Sequence, residues 1–282
     1  MGTGVAIVAS RFLSHSQVHV FDAFQHSIDK SRQFMESWAM KEIKKGRFSD
    51  DEANAFVGRV KHHTLSMDGD EHGEVIDEVF SEIDFAIEAV PEIFEMKEKV
   101  IKDFEKHCKF DSIFASNTSS LSITRIASAS MRPDKVIGMH FMNPVPVMPL
   151  VEIIKGLSTS PETHKLTLDL AHAIGKTPAT SIDRPGFVAN RLLMPYINEA
   201  IFALQDGVST RDDIDKIMKM GTNMPMGPLE LADFIGLDTC LSIMRVLHTE
   251  FADSKYRPAP LLVQMVTARK LGRKTNEGFY LY

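Results

Sequence analysis

The sequence lacks the features that mark several classes of protein. It has only two cysteines, Cys108 and Cys240, among 282 residues, which is too few for a disulfide framework or a cysteine-ligated metal site, so we expect a reducing compartment and no metal. No apolar run approaches the roughly 20 residues of a membrane-spanning helix, and no targeting signal is visible. Acidic residues outnumber basic residues by 38 to 32, which argues against a nucleic-acid-binding surface. We therefore expect a soluble protein of the cytoplasm or the mitochondrial matrix.

Through its first two thirds the chain alternates strand-like and helix-like segments. The apolar, β-rich runs that we interpret as buried strands are Val18–Asp22, Asp84–Val90, Ser112–Ser116, Lys135–Phe141 and Leu150–Ile154. Segments with helical periodicity lie between them, such as Ser27–Lys45 and Glu92–His107,. This alternation is typical of an α/β fold with a Rossmann-like, doubly wound parallel sheet.

A turn at Asp183–Gly186, which contains Pro185, ends this pattern and predicts a domain boundary,. We expect one domain over residues 1–183 and an all-α domain over residues 184–282. The helices predicted in the second domain are Val188–Gly207, Thr210–Met220, Leu229–Phe234 and Thr239–Phe251. In the first domain, Ser49 and Glu52 form a predicted capping box, and the acidic stretch Asp68–Glu74 predicts a solvated loop.

The first residues look like the end of a dinucleotide-binding fingerprint. Such folds open with a strand, a G-x-G-x-x-G turn and a helix, and an acidic residue follows about 20 positions later. Here Met1-Gly2-Thr3-Gly4 precedes an apolar run, and Asp22 ends the next predicted strand. We interpret Gly2 as the last fingerprint glycine and Gly4–Leu13 as the first helix, and we expect the first strand and two glycines upstream, as in a truncated N-terminus. The alternative is a glycine-rich start without a fingerprint.

One carboxylate interrupts a predicted buried strand. Glu152 lies inside the apolar run of residues 150–154, where an unpaired charge would be costly. His140 ends the preceding predicted strand and is a plausible partner. From the residues alone, this pair is either a structural ion pair or a catalytic one.

Five longer segments carry a resemblance that covers essentially the whole chain in order. They are Ser116–Ala127 (SNTSSLSITRIA), Arg132–Ile154 (RPDKVIGMHFMNPVPVMPLVEII), Gly186–Ile201 (GFVANRLLMPYINEAI), Met224–Asp238 (MPMGPLELADFIGLD) and Leu271–Tyr282 (LGRKTNEGFYLY). Together they resemble the L-3-hydroxyacyl-CoA dehydrogenase family, and most of all its short-chain 3-hydroxybutyryl-CoA members.

The resemblance implies an NAD-binding domain with a helical-hairpin insertion near residues 25–60. An all-helical domain that contributes to substrate binding and forms a homodimer would follow it. The implied reaction is hydride transfer between the C3 hydroxyl of an L-3-hydroxyacyl-CoA, of short chain, and NAD. The implied setting is fatty acid metabolism, including β-oxidation.

The resemblance also assigns roles to particular residues. His140 would be the general base, since an imidazole with an ordinary pKa near about 6.5 suits neutral pH, and Glu152 would orient it and stabilise the imidazolium. Ser119 and Asn190 match residues that hydrogen-bond near the substrate oxygen. Their alternatives are a helix N-cap for Ser119 and a polar helix surface for Asn190.

Further matches concern the cofactor and coenzyme A. The implied cofactor contacts are Gly2, Asp22, Glu92, Lys97, Ser119, Asn143 and Lys274. Asp22 would accept hydrogen bonds from the adenosine ribose, which implies NAD rather than NADP. Lys45 matches a coenzyme A lysine of the hairpin, although Trp38 stands at or next to the position of a family serine there. Without the resemblance, these would be charged surface or turn residues.

Two other functions stay open at this stage. The absent pyrophosphate turn would suit a non-catalytic family member that serves as a structural or interaction protein. A hydroxy-acid dehydrogenase of related fold, acting on a substrate without coenzyme A, is a weaker alternative.

Overall fold

The computed structural model describes residues 1–65 and 74–282, and the chain divides into two compact units, Met1–Asp183 and Arg184–Tyr282. Apart from Glu74, which begins a helix, the predicted loop Asp68–Glu74 lies outside the described residues. Within these residues, no helix combines the length and the apolar character that crossing a bilayer requires,.

The larger unit alternates helices and strands. Its helices are α1 (Gly2–Phe12), α2 (Gln25–Lys44), α3 (Asp50–Gly58), α4 (Glu74–Glu82), α5 (Phe94–His107), α6 (Ile123–Ala127) and α7 (Pro161–Ala173). Its strands are β1 (Val18–Asp22), β2 (Val60–Thr64), β3 (Phe85–Glu88), β4 (Ile113–Ser116), β5 (Val136–Phe141), β6 (Leu150–Lys155) and β7 (Thr177–Ile182). Each strand predicted from the sequence is present, with its ends shifted by at most two residues. Strands β2 and β7 were not predicted, because they contain few apolar residues.

The strands form two sheets among the described residues. β1 and β2 pair in parallel, and β3 to β7 form a five-stranded sheet in chain order. The predicted parallel pairing holds for β3–β4–β5 and for β6–β7, but β5 and β6 run antiparallel. The reason is the short connection of residues 142–149, because a parallel crossover needs about a dozen residues or more.

Helix α1 packs against both sheets. Val5 and Val8 belong to the core of the five-stranded sheet, whereas Ala6 and Ile7 belong to the core formed by β1, β2, α2 and α3. The helix begins at Gly2 rather than at Gly4, so the predicted boundary was two residues late. All four side chains are nearly or fully buried, and this burial fixes the position of the α1 N-terminus.

Gly4 is the glycine that the packing of α1 requires. A Cβ atom at Gly4 would lie 2.9 Å from Cβ of Val145, in the connection after β5, whereas one at Gly2 would meet only Cβ of Ala89 at an ordinary 3.7 Å. Glycine at position 4 therefore allows α1 to lie close to this connection. The role of Gly2 as the last glycine of the fingerprint stays a prediction.

Helices α2 and α3 form the predicted hairpin between β1 and β2. The capping box at the start of α3 is confirmed: the Ser49 hydroxyl accepts from the backbone N–H of Glu52, and the Glu52 carboxylate accepts from that of Ser49 at 2.8 Å. The rings of Trp38, Phe48 and Phe56 cluster between the helices, 5.7–5.9 Å apart. Trp38 is therefore part of the hairpin core.

The smaller unit, Arg184–Tyr282, is helical. It contains α8 (Ala189–Gln205), α9 (Arg211–Gly221), α10 (Pro228–Ile235), α11 (Leu237–Phe251) and α12 (Pro260–Thr267). Its core joins buried apolar residues from all five helices, among them Ile201, Ile214, Leu229, Met244 and Leu262. The four helices predicted here are present, with ends shifted by two residues or fewer.

Candidate active site

His140 and Glu152 face each other across the antiparallel β5–β6 pair. They are register partners, so their Cβ atoms are close and their side chains share one face of the sheet. His140 Nδ1 lies 3.2 Å from Glu152 Oε2, and the two side chains are only 8% and 5% exposed. The pairing that the interrupted strand predicted is present, and it offsets part of the cost of burying the carboxylate.

Hydrogen bonding determines which ring nitrogen of His140 can act as a base. A carboxylate only accepts, so Nδ1 carries the hydrogen shared with Glu152, and Nε2 of the neutral ring has a lone pair. The Ser119 hydroxyl lies 3.2 Å from Nε2 and can donate to it. The series Glu152–His140–Ser119 therefore presents the basic nitrogen at its Ser119 end.

Ser119 lies in the loop between β4 and α6 rather than at the start of a helix. The N-cap of α6 is Ser122, whose hydroxyl accepts from the backbone N–H of Arg125. The N-cap alternative for Ser119 is therefore wrong. Its hydroxyl lies 3.2 Å from Nε2 of His140.

Asn117, which the sequence analysis did not single out, ties this loop to the end of β5. Its Oδ1 accepts from the backbone N–H of Phe141 at 2.9 Å, one residue after His140. The bond fixes the spacing between the loop that carries Ser119 and the strand that carries the imidazole.

The Glu92 carboxylate also binds the loop that carries Ser119. Glu92 Oε1 accepts from the backbone N–H groups of Ser119 at 2.9 Å and Ser120 at 2.8 Å, and from the Thr118 hydroxyl at 2.6 Å. Burial alone would raise the pKa of Glu92, but the Thr118 hydrogen bond, the Lys97 ammonium and the hydrogen bonds from Ser120 together hold this pKa below its ordinary value,. The resulting stabilisation is complete above the ordinary pKa of glutamate and is lost as the pH falls through the lowered one.

A buried ion pair lies beside Glu92. Lys97 Nζ donates to both carboxylate oxygens of Glu88, at 2.8 and 3.0 Å, and lies 3.5 Å from Glu92 Oε2. The side chains of Lys97 and Glu88 are 0% and 2% exposed. Lys97 was predicted as a cofactor contact, whereas Glu88 was not predicted to be a functional residue. The signal was available, because Glu88 follows the apolar run of residues 85–87 just as Glu152 interrupts its own strand.

Three more predicted cofactor residues of the larger unit lie at or near the end of a strand or a helix. Asp22 is the last residue of β1, half-buried, and its Oδ1 accepts from the backbone N–H of Phe24 at 2.9 Å. Gly2 begins α1 and is exposed. Asn143 is exposed in the connection after β5, and its peptide bond to Pro144 is cis.

The predicted coenzyme A lysine, Lys45, follows the C-terminus of α2. Its ammonium donates to Glu42 at 2.8 Å, as Arg47 does to the other oxygen of the same carboxylate. The Lys45 side chain is 55% exposed, so its charge is accessible although partly compensated. The Lys45 hydrogen bond is the main reason why the pKa of Glu42 is lowered.

Two predicted site residues belong to the smaller unit. Asn190 is the second residue of α8 and is buried, so the alternative of a polar helix surface is wrong. Lys274 donates to both oxygens of Asp238, at 2.8 and 3.1 Å, and to the Thr239 hydroxyl at 3.0 Å. Its ammonium is held near the start of α11 instead of extending freely into solvent.

Comparison with protein families decides which chemistry this arrangement serves. Residues 1–183 match the NAD binding domain of 3-hydroxyacyl-CoA dehydrogenase, and residues 186–282 match its C-terminal domain. The chain belongs to the 3-hydroxyacyl-CoA dehydrogenase family. The resemblance noted from the sequence motifs is thereby confirmed, together with the fold class.

Individual members of the 3-hydroxyacyl-CoA dehydrogenase family align with almost the whole chain. A probable 3-hydroxybutyryl-CoA dehydrogenase of Deinococcus radiodurans is 47% identical over 282 residues, which cover 100% of this chain and 96% of the relative. The human mitochondrial hydroxyacyl-coenzyme A dehydrogenase is 39% identical over 285 residues, covering 100% and 88%. The crystal structure of (S)-3-hydroxybutyryl-CoA dehydrogenase from Ralstonia eutropha superposes with a TM-score of 0.92 at 42% identity, covering 100% and 95%.

As a member of this dehydrogenase family with a matched NAD binding domain, the chain is an oxidoreductase that uses NAD. Its described residues fit that cofactor. No side chain caps α1 among them, so N–H groups of its first turn can meet phosphate oxygens. Asp22 places a carboxylate at the carboxyl end of a parallel strand, where such folds bind the ribose diol.

Proposed function

We propose that the chain catalyses the reversible oxidation of an L-3-hydroxyacyl-CoA to the 3-oxoacyl-CoA, with 3-hydroxybutyryl-CoA as its short-chain substrate. The hydrogen-bonded series Glu152–His140–Ser119 carries the proposal. The names of the relatives from D. radiodurans and R. eutropha support the choice of substrate. The proposed setting is fatty acid metabolism.

His140 is the proposed general base. During oxidation the O–H bond at C3 breaks and its proton passes to Nε2, while the C–O double bond forms and a hydride leaves C3. When bound, NAD supplies the acceptor for this hydride. Nε2 is the basic atom because Nδ1 donates to Glu152.

Glu152 and Ser119 are the proposed partners of that proton transfer. Glu152 holds the ring in the tautomer that leaves Nε2 basic, and its charge stabilises the imidazolium as it forms. The Ser119 hydroxyl, 3.2 Å from Nε2, is placed to hydrogen-bond the substrate oxygen at C3. Asn190 is proposed for the same oxygen on the strength of the family resemblance.

The remaining contacts are proposed from the resemblance and from the positions of the residues. Lys45 would meet coenzyme A, whose phosphates attract an exposed ammonium. The proposed NAD contacts are Gly2, Asp22, Glu92, Lys97, Ser119, Asn143 and Lys274.

Loss of NADH absorbance in the presence of acetoacetyl-CoA tests the proposed reaction. We expect saturable turnover to L-3-hydroxybutyryl-CoA, and slower turnover of acetoacetate, which lacks coenzyme A. NADH binding without turnover would indicate a non-catalytic member of the family. Faster turnover of acetoacetate than of the thioester would indicate a hydroxy-acid dehydrogenase. Either result would contradict the proposal.

Substitution of Asp22 is expected to weaken cofactor binding more than it affects chemistry. Asp22→Asn keeps an oxygen for the backbone N–H of Phe24 but removes the charge that accepts from the ribose. Because a hydrogen bond to a charged group is worth about 1.5–3 kcal/mol, the Kd for NADH should rise by about 10- to 100-fold. Fluorescence titration measures this rise, and kcat at saturating NADH should stay within about twofold of wild type.

The control for Asp22→Asn is Asp29→Asn. Asp29 is an exposed acid in α2 whose carboxylate accepts a hydrogen bond from the Gln25 side chain, one turn earlier in the same helix. Its replacement should leave the Kd for NADH unchanged. Equal effects of the two substitutions would show that Asp22 acts through general surface charge and not through the ribose.

We propose that the smaller unit also forms a homodimer. It leaves several large apolar side chains exposed on α8 and α9, among them Leu192, Ile217 and Met220, at 67%, 60% and 77%. Large apolar side chains exposed in this number favour association. Light scattering should therefore give twice the chain mass of 31.6 kDa, and a monomer at micromolar concentration would contradict the proposal.

The proposed compartment is a reducing one, either the cytoplasm or the mitochondrial matrix. Cys108 and Cys240 are both free and buried thiols. Burial raises the pKa of each thiol to about 12, so neither forms a reactive thiolate at neutral pH.

A further inference from the structure

The Glu88 carboxylate accepts hydrogen bonds from more groups than its packing alone would require. Lys97 Nζ donates to both of its carboxylate oxygens, the Ser116 hydroxyl donates to Oε1, and the backbone N–H of Val90 donates to Oε2 at 3.0 Å. The backbone carbonyl of Glu88 also accepts from the N–H of Asn117 at 2.9 Å. One buried side chain thus joins the ends of β3 and β4 at the point where the Ser119 loop leaves the sheet.

A contribution to folding stability is a weak explanation for the buried Glu88–Lys97 ion pair. Removing two charges from water costs free energy that their attraction offsets only in part, and apolar replacements of buried pairs are often as stable. The geometric consequence of the pair is more specific. Lys97 Nζ contacts Glu88, the carbonyl oxygen of Val90 at 3.3 Å, and Oε2 of Glu92 at 3.5 Å.

The contacts continue from this ammonium to the base. Lys97 attracts one oxygen of Glu92, and the other oxygen holds the backbone N–H of Ser119. The Ser119 hydroxyl then meets Nε2 of His140. Every link is a direct contact of 3.5 Å or less, and Glu88 is the buried end of the series.

We propose that Glu88 is a positioning residue, which acts through Lys97 and Glu92 to hold the Ser119 hydroxyl against Nε2 of His140. The inference rests on the proposed function for the roles of Ser119 and His140. Glu88 itself touches neither substrate nor cofactor in this account. Its loss should therefore change the hydrogen bond at Nε2 without removing any reacting group.

The first test does not depend on activity. Long-range ¹H–¹⁵N NMR reports the hydrogen bonding of each imidazole nitrogen, and the His140 signals are assigned by their loss in His140→Asn. Ser119→Ala should shift the Nε2 resonance, and Glu88→Gln should shift it in the same direction by at least half as much. A folded Glu88→Gln protein with an unmoved Nε2 resonance, beside a clear shift in Ser119→Ala, would overturn the proposal.

The second test is a double-mutant cycle on kcat, measured at saturating NADH and acetoacetyl-CoA. Glu88→Gln should lower kcat by about 10- to 100-fold, the loss expected when a catalytic group is misplaced by about an ångström. In a Ser119→Ala background the same substitution should have an effect below about threefold, because the two act through one hydrogen bond. Effects that multiply independently would overturn the proposal.

The matched control is Glu98→Gln. Glu98 pairs with Lys102 at 2.7 Å on the surface of α5, the helix that also carries Lys97. This substitution should leave kcat within twofold of wild type and the Nε2 resonance unmoved. If Glu98→Gln produces the Glu88→Gln shift, general destabilisation of α5 is the cause and the proposal fails.

A second variant covers the case in which Glu88→Gln does not fold. Glu88→Gln/Lys97→Met removes both charges, a change that buried pairs often tolerate, and it should give the same Nε2 shift and loss of kcat. An inactive wild-type protein would contradict the proposed function, and the NMR comparison would still decide the positioning role.

Discussion

Replacing His140 with asparagine should lower kcat for acetoacetyl-CoA reduction by about 10²- to 10⁴-fold, the usual contribution of a positioned acid or base. Asparagine keeps a polar side chain opposite Glu152 but has no nitrogen that takes up or releases a proton near neutral pH. The Nε2 atom whose hydrogen bonds define the site is lost. NADH consumption under saturating conditions measures the effect.

The expected loss concerns chemistry and not cofactor binding. The Kd for NADH, measured by fluorescence titration, should stay within about twofold of wild type. His172→Asn is the matched control, because His172 is an exposed histidine of α7, and its kcat should not change. A His140→Asn protein that is folded and retains more than a tenth of wild-type kcat would exclude His140 as the general base.

Glu152→Gln should have an effect of similar size, although it removes no group that exchanges a proton with substrate. The glutamine amide can donate to Nδ1 of His140, which moves the ring hydrogen to Nε2 and removes its lone pair. The corresponding exchange of aspartate for asparagine in the triad of serine proteases lowers kcat by about 10⁴-fold. We expect a loss of about 10²- to 10⁴-fold here, because Nδ1 and Oε2 are hydrogen-bonded within a buried pair.

A thermal melt separates this effect from loss of fold. Glutamine is nearly isosteric with glutamate, so Glu152→Gln should remain folded and should bind NADH as tightly as wild type. The control is Glu162→Gln, in the exposed first turn of α7, which should keep full activity. If folded Glu152→Gln has a kcat within threefold of wild type, the carboxylate does not set the tautomer.

The pairing of His140 with Glu152 could be predicted because Glu152 departs from the apolar pattern of its strand. A carboxylate inside an apolar strand needs a partner, and the nearest titratable group on the preceding strand was His140. The fold class was predictable for a related reason, since buried parallel strands are continuous apolar runs. Both predictions depend on burial, which produces apolar runs that can be recognised in the sequence.

The direction of strand pairing and the geometry of the loops were harder to predict from the sequence. The antiparallel pairing of β5 with β6 followed from the length of the connection, a signal that was present but was not weighed against the pattern of alternation. Asn117 binds the N–H of Phe141, and Glu92 binds that of Ser119. These are contacts between backbone and side chain across 24 and 27 residues, and no periodicity encodes them.

Glu88 shows most clearly what could not be predicted from the sequence. It follows an apolar run of its strand and pairs with a lysine nine residues later, across the turn into α5. The anomaly was visible in the sequence, as it was for Glu152. Its connection to Ser119 required the positions of Lys97 and Glu92, which only the three-dimensional structure supplies.

In the proposed reaction, a hydride passes between NAD and C3 of a 3-hydroxyacyl-CoA while His140 exchanges the proton. The most direct measurement is mass spectrometry of the product formed from acetoacetyl-CoA and NADH that carries deuterium in both C4 positions of its nicotinamide ring. We expect one deuterium at C3 of L-3-hydroxybutyryl-CoA with the wild-type protein, and almost no product with His140→Asn. Consumption of NADH without deuterium at C3, or no consumption by the folded wild-type protein, would contradict the proposed reaction.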